Sequence, residues 1–485
     1  MTRAFAGRTL RPHVRSLLAA TCLAVALPAQ ALDAETAQPD AAGPVAFFSA
    51  ERTVAGAPRR ELWRTDGTRP GTARVTDRVI FPWAERFGDS RAAALPDGRM
   101  VFAGALNPGG PTALWVTDGT RAGTRQLPAD VTDPFSFIEL SPGTVAFLAS
   151  GRRGTQLWTT DGTAAGTTLA VRPRWLGGSA ARMTPLGDGR ALFAAYGIDP
   201  YVTDGTSAGT FPLYLGCDGR SAFLGPFAPL GDGRALFSCG GGSRNSLFVT
   251  DGTVNGTRKL AHPHTGREVL NAIGIVTIEP GRAVLRARMG NLRAPLRLWV
   301  TDGTFEGTQD ITPNHLVTRT AAGVALGDGR AVFGARSSDS GSLAYLWVTD
   351  GTRQGTRIVV RSDETQGPVD PTDFHALGDG RALFRADGHT GTGDGVEAEL
   401  WITDGTREGT YMVRNINPEA GSFPAQFAPM GDGRALFSAD DGVRGREPWI
   451  TDGTQRGTRP LRDINRGPGG SDPRGFTLPS AAPTM

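Results

Sequence analysis

ELWRTDGTRPGT, residues 61–72, decides the fold, because its core T-D-G-T-x-x-G-T returns eight more times along the chain. The other copies read ALWVTDGTRAGT, QLWTTDGTAAGT, PYVTDGTSAGT, LFVTDGTVNGT, RLWVTDGTFEGT, YLWVTDGTRQGT, ELWITDGTREGT and EPWITDGTQRGT. Their aspartates are Asp66, Asp118, Asp161, Asp204, Asp251, Asp302, Asp350, Asp404 and Asp452, spaced 43 to 54 residues apart. A period near 48 built of short β-type segments is the signature of a propeller blade.

The motif reads first as structure. An Asp carboxylate bonds nearby backbone N–H groups, and the following Gly supplies the φ > 0 conformation of a tight hairpin. The Trp before it alternates onto the packed face of its strand. Seven of the nine tryptophans (Trp63, Trp115, Trp158, Trp299, Trp347, Trp401 and Trp449) hold this position, with Tyr201 and Phe248 standing in twice. Repeat units cannot bury a core alone, so nine copies of one site mark a scaffold of structural turns.

Residues 423–464 display one whole unit: FPAQFAPM, the turn GDG, RALFSAD, a variable loop, EPWITDG, the turn TQRG and TRPLRDI. These are four short strands, a to d, separated by Gly-containing turns. The a–b turn recurs as PDGR at Asp97 and GDGR at Asp188, Asp232, Asp328, Asp379 and Asp432, and as SPGT at Ser141 and EPGR at Glu279. The first repeat opens on a b-type strand, GPVAFFSA, with no a strand of its own. The C-terminal GGSDPRGFTLPS resembles the a segment AGSFPAQFAPM. The expected fold is therefore all-β: a single β-propeller of about nine four-stranded blades over residues 44–480. It is closed by residues 473–479 pairing in the first blade, beside residues 45–50, and 481–485 form a tail. Eight regular blades and a distorted one is the alternative, since propellers typically have 4–8.

Residues 1–31 read as a signal peptide. Arg3, Arg8, Arg11 and Arg15 precede an apolar stretch at 17–27, followed by Ala29-Gln30-Ala31 as a small-x-small cleavage site. The apolar stretch is shorter than the roughly 20 residues a membrane span needs. Cys22 does not suit a lipoprotein signal, because Thr21 precedes it and the apolar run continues beyond it. Residues 32–43 read as a disordered spacer. The full chain carries 51 basic and 48 acidic residues, and removing four leader arginines leaves 47 against 48. The near-neutral balance excludes a nucleic-acid partner of the basic-patch kind. Cys217 and Cys239 remain as a candidate disulfide in the fifth repeat, or as two free thiols.

On these motifs the chain resembles the bacterial ELWxxDGT-repeat family, secreted or surface proteins described by the repeat itself, over essentially everything from Gly43 onward. More loosely it resembles the aspartate-box hairpins of sialidase-type propellers. The resemblance implies a secreted, periplasmic or cell-surface location. It transfers no catalytic residue.

Because antiparallel strands reverse direction, the uniform a–b and c–d turns must share one end of the propeller. The b–c and d–a connections take the other end, and they vary, which makes them the natural binding surface. Phe81, Trp83, Arg172, Arg174 and Trp175 on that side are the candidate ligand-binding residues, since aromatic-plus-Arg surfaces suit sugars and peptides. Aromatics plugging the channel are the structural alternative. Apart from His262-Pro263-His264, the histidines His262, His264, His315, His375 and His389 lie in separate repeats without ligand spacing, so no metal site is expected. The acidic loop 387–397, with Asp387, Asp394 and Glu397, lacks EF-hand spacing. No G-x-S-x-G elbow, Walker loop, Rossmann fingerprint or H-E-x-x-H occurs. The expectation is an exported, monomeric, non-enzymatic interaction protein without cofactor, binding a glycan, peptide or cell-surface partner. Two alternatives stand beside it: a propeller glycoside hydrolase or polysaccharide lyase, and a structural or matrix repeat protein.

Overall fold

Strand b of the ninth repeat, Ala435–Asp440, is buried at almost every position, and its two faces serve different neighbours. Phe437 and Ala439 pack with Leu383, Leu400 and Ile402 of repeat eight. Leu436 packs with Ala46 of repeat one. A strand whose period-2 faces are both covered reads as a continuous apolar run, which is why A-L-F and its variants recur in every repeat.

The computed structural model describes residues 44–76, 90–107, 110–127, 130–151, 154–171, 183–194, 200–213, 222–224, 227–241, 244–317, 323–338, 343–360, 367–388 and 396–478. They form β-strands and turns, with no helix among them. All strand pairs are antiparallel, and the sheets follow the order a-b-c-d. In repeat eight these strands are Pro368–Ala376, Ala382–Gly388, Val396–Thr403 and Tyr411–Arg414. Seven sheets hold one repeat each. Repeats five and six share a nine-stranded sheet through a single pairing of Ser246 with Leu270.

This is a β-propeller, built as the repeat predicted. Each a strand lies beside the a strands of its neighbours through all nine repeats, and that of repeat nine lies beside that of repeat one. The a strands therefore line the middle. The first sheet takes its a strand from the C-terminus: Arg474–Thr477 pairs with Ala46–Val54, matching Phe47 to Thr477 and Ser49 to Arg474 across a bulge.

In most repeats an aromatic of strand b faces the motif aromatic of strand c, as in Phe384–Trp401 at 6.3 Å and Phe237–Phe248 at 5.4 Å between ring centroids, and in repeat six Leu285 takes that place opposite Trp299. The indole N–H of Trp115, Trp299, Trp347 and Trp401 donates to a strand-b carbonyl at 3.0–3.1 Å. Tyr201 and Phe248 keep the packing.

Candidate functional site

At the T-D-G-T end the repeated Thr, Asp and Gly positions are committed to structure. In all nine copies the Asp Oδ1 accepts the backbone N–H of the Thr two residues on at 2.8 Å and its hydroxyl at 2.6–2.7 Å. The outer threonines of the motif share a hydroxyl–hydroxyl bond of 2.6–2.8 Å. The second Gly is required sterically. A Cβ on Gly71, Gly409 or their equivalents would stand 2.0–2.2 Å from the Asp carboxylate.

The a–b turn contributes a function that its sequence did not disclose. Its carboxylate, an Asp or in repeat six Glu279, binds the Arg that ends the turn, and that guanidinium reaches the c–d turn of the next repeat. Arg99 donates to the carbonyls of Gly162 and Asp161 at 3.1 Å, Arg190 to Asp251 at 2.8 Å, Arg282 to Gly351 at 3.1 Å and Arg381 to Asp452 at 3.2 Å. Burial works against the turn carboxylates, yet the Arg bonds hold Asp188, Asp232, Asp328 and Asp432 below the usual range. Repeat three has Thr144 in place of the Arg, and there Leu140 and Thr159 pack on Gly205 instead.

The opposite end is built on bulged a strands. Positive φ occurs in pairs three residues apart: Asp133 and Ser136, Asn271 and Gly274, Asp370 and Asp373, Phe423 and Gln426, Asp472 and Gly475. The first member often stitches repeats together. Asp133, Asn271 and Asp370 accept the backbone N–H of Thr112, Asn245 and Ala344 in the preceding repeat at 2.8–3.1 Å. Asp and Asn tolerate this backbone region better than most residues. The recurring D-P in TDPFSF, VDPTDF and SDPRGF was the available sequence signal.

Around this rim stand part-exposed ionic side chains from different repeats. Arg385 pairs with Asp373 at 3.2 Å, and Arg474 with Asp472 at 2.7 Å. Asp472 also accepts from Arg60 at 3.1 Å, whose side chain is 8% exposed and whose Nη1 donates to Ser49 Oγ. Burial pulls the Arg60 and Arg446 guanidinium groups down, and both feel Asp472.

Under the rim, the motif glutamates of repeats eight and nine are buried loop anchors, whereas Glu61 of the first repeat pairs with Arg52 and Arg74. Glu399 accepts the N–H groups of Ile416, Asn417 and Ser422 and the Ser422 hydroxyl. Glu447 accepts from Ile464 N, Asn465 N and Ser471 Oγ at 2.6–3.2 Å. Repeat five reverses the polarity: Ser246 on strand c donates to Glu268 from the d–a connection at 2.8 Å. Burial raises the Glu447 carboxyl from 4.5 to about 7. A raised carboxyl favours the folded state fully below pH 4.5, and that contribution is lost as pH climbs through 7. The expected loss is roughly 3 kcal/mol. Urea midpoints of the wild type from pH 4.5 to 8 should fall relative to those of Glu447→Gln, and parallel curves would refute the assignment.

The other sequence candidates sort plainly. Phe81, Trp83, Arg172, Arg174, Trp175, Cys217, His389 and Asp394 lie outside the described residues. Cys239 is buried in strand b of repeat five and is disulfide-bonded. His262 caps its own turn, with Nδ1 accepting from His264 N and Thr265 N at 3.1–3.2 Å. His315 stacks on Trp347, and His375 packs on Phe427, where burial lowers its pKa. Asp387 accepts from Ala398 N at 2.8 Å and so ties its own hairpin. Among the described residues no three His, Cys, Asp or Glu converge as metal ligands, and no helix is long and apolar enough to cross a membrane.

No family model matches the chain, and no curated protein aligns with it significantly. Solved structures resemble it distantly. A puromycin hydrolase S511A mutant complexed with PGG is 15% identical, with 71% of this chain and 55% of that one covered and a TM-score of 0.39. The β-propeller domain of the Trilobed protease from Pyrococcus furiosus is 12% identical, with 65% and 95% covered and a TM-score of 0.34. An oligogalacturonate lyase in complex with manganese is 13% identical, with 77% and 98% covered and a TM-score of 0.35. This chain spans 55%, 59% and 44% of the first three structures it matches. Likeness at this level says nothing about activity, and the fold assignment rests on the sheets.

Proposed function

We propose that this chain is an exported, non-enzymatic interaction protein of the ELWxxDGT-repeat kind. It binds a glycan, peptide or cell-surface partner through the end that carries the b–c and d–a connections. The supporting observation is the unequal commitment of the two ends. The T-D-G-T end is nearly identical in every repeat and spends its polar groups on its own turns and its neighbours. The rim at the other end offers part-exposed ionic groups that differ from repeat to repeat, Arg385, Asp373, Arg474 and Asp472 among them. Variable side chains on a rigid repeated frame are how repeat proteins present binding surfaces.

The test is a glycan array and an envelope pull-down with the purified protein, repeated with two double variants. Arg385→Ala with Arg474→Ala should weaken any binding found. Arg69→Ala with Arg121→Ala, at the opposite end, should leave it unchanged. The reverse pattern, or no partner in either format, would overturn the reading.

A further inference from the structure

The connection from strand d of repeat nine to the closing strand is held from inside by one side chain. Glu447 accepts from Ile464 N at 3.1 Å, Asn465 N at 3.2 Å and Ser471 Oγ at 2.6 Å. The same connection grips repeat one with its outer groups. Asn465 Oδ1 accepts from Thr53 N at 2.9 Å, and Ser471 O accepts from Glu51 N at 2.7 Å. Beyond it, Arg474–Thr477 pairs with the edge of Ala46–Val54. In other sheets a turn joins strand a to strand b. In the first sheet only non-covalent contacts hold them.

Repeat eight carries the same anchor in a different electrostatic setting. Glu399 accepts four bonds, from Ile416 N, Asn417 N, Ser422 N and Ser422 Oγ. Glu447 accepts three, because Ser471 N donates to Arg446 O instead. Where repeat eight has Asn415, repeat nine has Asp463, one residue before the first donor. The negative charge of Asp463 acts on Glu447, and its buried Oδ1 meets no donor among the described residues. Nor does a guanidinium bond Glu447 among them. Arg446 on the same strand feels Asp472 and Asp440. Across the seam Arg60 answers Asp472 and Glu51, and Arg52 answers Glu61. On the connection Arg462 reaches Thr72 O and Arg466 is exposed, and on the closing strand Arg474 pairs with Asp472.

We propose that Glu447 and Asp463 make the seam between repeats nine and one a pH-controlled latch, which holds the closing strand in acid and releases it above neutral pH, baring the edge of Ala46–Val54. Release carries Glu447 into water, where its carboxyl titrates near its ordinary 4.5. While the seam is shut, burial, with Asp463 adding to it, raises that carboxyl to about 7. Closure is therefore fully supported below pH 4.5 and loses that support as pH climbs through 7. A bared edge of this kind is a template for pairing with another strand. The latch does not depend on which partner the variable rim takes.

Hydrogen exchange of the full chain, corrected for the intrinsic rate and followed from pH 4.5 to 8.5, tests it. Protection of Ala46–Val54 and Arg474–Thr477 should fall on the order of a hundredfold and level off above pH 7. At pH 8 both should exchange at least about tenfold faster than Ala382–Gly388 of repeat eight, as expected of a local opening. Glu447→Gln should abolish the pH dependence at the seam. Asp463→Asn should make the fall smaller and end it at lower pH, because it removes the charge that helps raise Glu447. Glu399→Gln should leave the seam's response in place. A flat profile in the wild type, or an unchanged one in Glu447→Gln, would overturn the latch. So would seam strands that exchange only together with Ala382–Gly388, which would mean that the whole propeller opens at once.

Discussion

Deleting residues 470–485 should destabilise the whole propeller and drive it into oligomers, with little local fraying. The deletion removes strand a of the first repeat, together with Phe476, which packs 5.0 Å from Phe48. It also removes Ser471, a donor to the buried Glu447, and Asp472, the carboxylate on Arg60. Arg60 keeps Glu51 at 3.7 Å, so the loss is carried by the missing strand pairing and by the missing donor to Glu447. The long strand Ala46–Val54 would then show an unpaired edge, which invites pairing with another molecule.

The remaining contacts define what closure means here. Repeat nine grips repeat one as repeat eight grips repeat nine. Arg414 donates to Thr458 O at 2.6 Å and lies over Trp449, and Arg462 donates to Thr72 O at 2.7 Å and lies over Trp63. These contacts join the last repeat to the first. Size-exclusion chromatography and thermal melts of the truncated protein check it. A monomer that melts like the parent would show the C-terminus to be a tail and the ring count to be wrong.

Trp401→Ala should cost about 3–5 kcal/mol, the usual range for truncating a buried aromatic. The indole is buried between repeats seven and eight, faces Phe384, and bonds Ala386 O at 3.1 Å. Removing it leaves both a cavity and an unpaired carbonyl. The melting temperature should fall while binding at the variable end stays unchanged, because the site lies in the blade and away from the rim. If affinity fell and stability held, the motif tryptophans would be ligand-binding residues and the scaffold reading would fail.

The repeat was legible because its chemistry is local. An Asp, three Thr and two Gly within eight residues make their bonds to one another, so T-D-G-T-x-x-G-T announces its own turn. The Trp was readable for a related reason: its partner is the adjacent strand, a short distance along the chain. The pairing of the C-terminal strand in the first sheet was also foreseeable, since a missing a strand at one end and a spare one at the other leave a single match.

What the sequence could not disclose involves partners one repeat or more away. Arg381 and Asp452 are 71 residues apart, and Asp133 and Thr112 belong to different repeats, so nothing in either local pattern points to the other. The Glu of E-L-W looks like a surface residue in a strand pattern, and only the fold of residues 464–471 around Glu447 makes it a buried anchor. The aromatic and arginine candidates at 81–83 and 172–175 were chosen by composition, which cannot tell a rim from a channel plug. Arg286 and Arg385 are indistinguishable along the chain. The tertiary structure separates them, because bulge geometry sets one beside Asp373 and the other beside Gly274. The sequence by itself determined the blade, whose interactions close within one repeat. The tertiary structure decided how blades grip each other, because that depends on distances between repeats that no single repeat encodes.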